Sequence, residues 1–226
     1  MKSPLATGAG CLLLAAVAAP PARAQIPGLP TLQSPFAAPQ IAVGVNVGRA
    51  EDVTVAGIAA AWTPASARIQ LSAGVARVSL DPEGAGYAAG ARGYVPIRTF
   101  RGGALAVGAL AGAGSQRVEE VTVYSAPVGA SVGYRRALGA TRAFAVYAVP
   151  FYSYTGVRTP DASTFLFRYA LGADFALLPN VGVTLGLEGG QTPAFGDPGV
   201  RGQTLGAGVS YAFGSADRGR GRGGRR

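Results

Sequence analysis

The chain has 226 residues, of which 49% are hydrophobic and only 14% charged, with 35 glycines and a formal net charge of +9. Soluble domains carry charge at roughly 25% of positions, so this composition excludes an ordinary wetted surface. There is no histidine, and the single cysteine is Cys11, which removes the usual nucleophile–base pairs and zinc ligand sets.

The first segment has Lys2, an uncharged and mostly apolar run from Leu5 to Ala19, and then Ala22-Arg23-Ala24. A charged start, apolar middle and small-x-small site are the layout of a secretory signal peptide, predicted over residues 1–24. Pro20 and Pro21 end the run too early for a membrane helix. Cys11 sits inside the run rather than after it, so the mature chain is expected to have neither disulfide nor lipid anchor. Residues 25–40, "QIPGLPTLQSPFAAPQ", read as an extended periplasmic lead-in.

Beyond this point every apolar run is short or broken by Pro and Gly, so no spanning helix is expected. A period-two alternation recurs instead. It predicts strands near Ile41–Gly48, Thr54–Trp62, Ala67–Val78, Gly86–Ile97 and Ala104–Gln116, then Val121–Tyr134, Ala143–Thr155, Ser163–Leu177, Val181–Gly190 and Gln203–Phe213. The implied fold is all-β: one antiparallel up-and-down transmembrane barrel over residues 41–213, of ten strands, with eight as the alternative. The strand from Ala143 is apolar on both faces, and its facing stays open.

"STFLFRYALGADFALL", Ser163 to Leu178, shows how the sides are read. Its odd positions, Phe165, Phe167, Tyr169, Leu171, Phe175 and Leu177, form a greasy stripe. Arg168 and Asp174 share the even face with small residues, and on a strand both then point the same way. A soluble barrel would turn the greasy face inward. Here the other face, with Gly44, Asn46, Gly48, Ala106, Gly108, Thr204, Gly206 and Ser210, is too poor in charge to be a wet exterior, so it is assigned to a narrow lumen. If "LPN" is a three-residue hairpin loop, Glu188 lies opposite Ala170 and diagonal to Arg168. The expected lumen charges are therefore Arg68, Arg92, Arg168, Asp174 and Glu188, either a structural pair that holds the wall closed or a charged constriction that selects solutes.

The connections split by charge. Those after odd-numbered strands hold Glu51, Asp52, Asp81, Glu83, Glu119, Glu120, Asp161 and Asp197. Those after even-numbered strands hold Arg98, Arg101, Arg135, Arg136 and Arg142 and no acid. The acidic set includes the longer loops, which places it outside the cell and both termini in the periplasm. Asp81, Glu83, Glu119 and Glu120 are candidates for bridging Ca²⁺ or Mg²⁺ to anionic lipopolysaccharide. No metal site is firmly predicted, and no cofactor. "GALAVGALAGAG" lacks the strand–loop–helix context of a dinucleotide site. The tail, residues 214–226, supplies five arginines and one aspartate and reads as disordered. In an exported protein it gives no reason to expect a nucleic-acid partner.

With these features the chain resembles the small outer-membrane β-barrels of Gram-negative bacteria, the OmpA-like and opacity-type superfamily, over nearly its whole length. The last strand, "GQTLGAGVSYAF", looks like the terminal signal read by the barrel assembly machinery, carried by Leu205, Val209, Tyr211 and Phe213. The tail after Phe213 departs from that pattern. The resemblance implies an outer-membrane location with lipids and lipopolysaccharide as partners. Omptin-type proteases resemble the chain in architecture but rely on histidine, so no enzymatic activity is expected. Two functions follow: a narrow passive pore for small solutes, lined by Gly, Ala and a few arginines, or a closed structural or surface-interaction barrel.

Overall fold

A computed structural model describes residues 41–50, 53–64, 69–80, 84–139, 142–158, 162–191 and 201–213. The expected signal peptide, the Pro-rich lead-in and the Arg/Gly tail lie outside the described residues. The strands are β1 (Ile41–Ala50), β2 (Val53–Trp62), β3 (Gln70–Leu80), β4 (Ala85–Phe100), β5 (Leu105–Val118), β6 (Val121–Ala137), β7 (Ala143–Val157), β8 (Ala162–Leu178), β9 (Val181–Gln191) and β10 (Arg201–Phe213). Each pairs antiparallel with its neighbours in sequence, and β1 pairs with β10 to close the ring. Among the described residues no helix is long and apolar enough to cross a membrane.

The alternation in the sequence becomes the two faces of the wall. In β2, Val53, Val55, Ala59 and Ala61 are buried, whereas Ile58 is 60% exposed and Trp62 51%. The ladder locks this arrangement, because a slip of one residue would turn every side chain of a strand to the wrong side. Aromatic groups ring both ends of the outer face. Trp62, Phe100, Tyr134, Tyr211 and Phe213 lie at the end that carries Ile41 and Phe213, and Tyr87, Tyr154 and Phe165 at the other. Such rings suit the two membrane interfaces.

One local feature departs from the sequence reading, and a second, the gaps at the prolines, adds to it. The β8–β9 hairpin turns on Pro179 and Asn180 alone, and the register shifts between Ala176 and Leu178. The extra residue is taken up as a bulge rather than as a three-residue loop. Prolines also sit inside spanning strands. Pairing lapses where Gly112–Ala113 faces Ala126–Pro127 on the β5 side of β6. It lapses again where Ala130–Ser131 faces Val149–Pro150 on the β7 side. Proline has no N–H to give a ladder, so each one opens a short gap.

Candidate functional site in the barrel lumen

Arg168 lies on the inner face of β8 and Glu188 on the inner face of β9. The Arg168 Nε donates to Glu188 Oε1 at 2.9 Å, and the two side chains are 1% and 2% exposed. Strand pairing sets up the contact: Ala170 is directly opposite Glu188, which puts Arg168 on the diagonal, within reach of a long side chain. The second arm of the guanidinium, Nη1, donates to the Gln191 carbonyl at 2.7 Å, while the Gln191 side-chain oxygen accepts from the Phe167 N–H at 2.8 Å.

Gly190 makes this arrangement possible. Its φ is +126°, and a β-carbon there would come within 2.7 Å of both Arg168 Cα and the Phe167 carbonyl. Only glycine takes such a conformation readily and leaves room for the opposing strand. The "EGGQ" sequence at the end of β9 thus supplies the counter-ion, the close approach and the carbonyl that holds the guanidinium.

Arg92 projects from β4 into the same interior and is buried there. Asp174, half-buried on β8, accepts from Thr184 Oγ1 at 2.7 Å, across a directly opposed pair. Arg68 lies outside the described residues, as do Asp81 and Glu83. Glu119 and Glu120 form the exposed β5–β6 turn, with Glu119 in the left-handed region at φ +52°. Among the described residues no group of three metal-ligating side chains converges. Leu205, Val209, Tyr211 and Phe213 all face outward on β10.

The interior is bulkier than a Gly/Ala lining with a few arginines. Tyr94, Leu110, Tyr147, Val149, Phe151 and Ala170 form a buried cluster on the inner faces of β4, β5, β7 and β8. Phe151 stands directly opposite Arg168. Nearer the end opposite the termini, Val53, Val55, Ala76, Val78, Ala88 and Val118 make a second buried cluster. The small inward positions read on β1, β10 and, on β5, at Ala106 and Gly108 are inside the wall as expected, but on the β4–β8 side they are joined by these bulky groups. The physical reason is that the bulk alternates with gaps. Tyr147 lies over Gly172, its direct partner on β8, and Tyr94 lies over Gly108 on β5. A glycine on one strand leaves the hollow that a ring from the next strand fills. Tyr147, Val149 and Phe151 escaped the sequence reading because β7 is apolar on both faces. The signal that would have found them is a tyrosine set against a glycine across the ladder.

No protein-family model matches the sequence, and no curated protein matches it. Among solved structures, the chain is similar to the β domain of the Bordetella autotransporter BrkA. The identity is 13% and the TM-score 0.48, over 77% of this chain and 99% of that one. It is similar to a bacterial polysaccharide outer membrane secretin at 9% identity and TM-score 0.48, over 77% of this chain and 66% of that one, so it spans about two-thirds of that neighbour. For the N-terminal β-barrel domain of Pseudomonas aeruginosa OprF the identity is 8% and the TM-score 0.37, over 77% and 98% of the two chains.

The class rests on the barrel itself. Large exposed apolar side chains point outward from nine of its ten strands, all but β5, on a scale that monomeric soluble proteins rarely expose. The ring has no free edge, and the buried ion pair is inside. Only such a closed sheet satisfies its backbone within lipid, and the fold is that of a membrane-spanning β-barrel.

Proposed function

We propose that this protein is a non-enzymatic outer-membrane barrel whose lumen is shut, so that its interactions take place on its outer face and at its ends. The observation that carries this reading is the dryness of the central charges. A water-filled channel wets the ionised groups of its wall, yet Arg168 and Glu188 are 1% and 2% exposed. Buried charge is tolerated when it is paired and hydrogen-bonded, and here Phe151 and the cluster around it complete the seal. The absence of histidine from the sequence supports the non-enzymatic part, because general-base chemistry in such barrels would need another group. The outward row on β10 supports recognition of that strand by the assembly machinery.

The narrow passive pore keeps one observation in its favour: the inward positions of β1 and β10, among them Gly44, Gly48 and Gly206, are small. Planar-bilayer recording of refolded protein separates the two readings. The wild type is expected to carry no steady ionic current, and the variant R168A/E188A/F151A, in which the seal is cut away, to conduct. Steady current through the wild type overturns the closed reading and supports the pore.

A further inference from the structure

Three residues on the outer face stand side by side in register. Arg77 on β3 pairs with Tyr87 on β4, and Tyr87 pairs with Arg117 on β5. All three are exposed, Tyr87 at 76%. Adjacent strands lie about 4.8 Å apart, so the two arginines flank Tyr87 across roughly 10 Å, and Arg117 Nε donates to the Glu119 carbonyl at 3.3 Å. This row is at the end opposite the termini, level with the interfacial aromatic ring.

Directly beneath it, toward the middle of the wall, the outer face is hollow. The next row is Val75, Ala89 and Ser115, and the one after is Ala73, Ala91 and Ala113, each set again in register. These side chains are shorter than Ile58 and Val45, which continue the first of these rows on β2 and β1, and they line one end of an open apolar hollow of about 1190 Å³ that runs on past Val45 to Val209 of β10. An occupant has to be apolar along the hollow and anionic where it meets the arginines. A second copy of the same surface would set arginine against arginine. Arginine is also the side chain best shaped to fork onto phosphate oxygens.

We infer that this surface is a binding site for a phosphate-bearing lipid of the outer leaflet, with its acyl chains in the Ala73–Ala91–Ala113 hollow and its phosphates on Arg77 and Arg117. The inference rests on the outer-membrane placement proposed above and is independent of whether the lumen is open. It differs from cation bridging by the acidic loops, because the arginines need no metal.

The test uses the full chain refolded in neutral detergent, with lipid A and its dephosphorylated form as probes and retained lipid read by native mass spectrometry. Lipid A is expected to bind and the dephosphorylated form to bind far more weakly. At about fivefold per arginine near a membrane surface, R77Q/R117Q should weaken lipid A binding roughly twenty- to thirtyfold. A91L should weaken it without any change of charge, whereas R98Q/R136Q at the opposite rim should leave it unchanged. Heat-dependent gel mobility verifies that each variant is folded. Equal binding of the two probes, or no effect of R77Q/R117Q, overturns the site. Loss of binding in chelator overturns it in favour of the acidic loops, and displacement by millimolar inorganic phosphate alone shows a simple anion site. Dimerisation through A91 in place of lipid binding also overturns it. Bilayer conductance tests the closed lumen separately, so failure of one proposal is not failure of the other.

Discussion

At the scale of single residues, the interior depends on groups that cannot be changed one at a time. Removing one member of a buried ion pair leaves the other charged and unsolvated, at a cost of about 3–5 kcal/mol. Glu188→Gln is therefore expected to lower the urea-unfolding free energy by about that amount. The joint replacement Arg168→Met with Glu188→Leu should recover most of the loss. Simply additive single effects would show that the two side chains do not act as a pair. Gly190→Ala tests the backbone that frames them. Its positive φ and the 2.7 Å approach to Arg168 Cα predict a loss of about 2–3 kcal/mol, visible as a lower midpoint with an unchanged urea slope.

Among the elements, β6 differs from the rest. Pairing lapses on both of its sides within a few residues, beside Pro127 and again at Ser131, whereas β1 and β2 are paired without interruption from Ile41↔Trp62 to Ala50↔Val53. Amides at Ala113, Ala130 and Ser131 are expected to exchange with solvent deuterium well before those of β1 and β2 in detergent-solubilised protein. Uniform protection around the ring would contradict this. The strands themselves were largely legible in the sequence, because period-two alternation is a local property that a lipid-facing wall enforces at every step. Thus β8 could be read from Phe165, Phe167, Arg168 and Asp174 alone. The aromatic interior was not legible in the same way. When both faces of a strand are apolar, as at Tyr147–Phe151, alternation carries no sign, and only the partner strand decides which side is in. The bulge at Leu177 was hidden for a related reason: loop length and register trade off against each other, and the sequence "LPN" fits either solution.

For the molecule as a whole, closure and filling act together. A ring of strands with a packed interior unfolds as one unit, since no strand can leave without exposing both a sheet edge and the interior clusters. Wild-type protein in mild detergent is expected to migrate faster unheated than boiled on a denaturing gel, and Glu188→Gln to make that switch at a lower temperature. A single mobility at all temperatures would speak against a closed barrel.

Trp62 is the only tryptophan in the chain and points outward on β2, at the same end as Ile41 and Phe213. An indole in that position leaves water as the β-sheet enters the acyl phase, and its emission moves to shorter wavelength. The protein thus carries its own optical reporter of insertion, and the speed with which it enters vesicles of different thickness can be followed with no added dye.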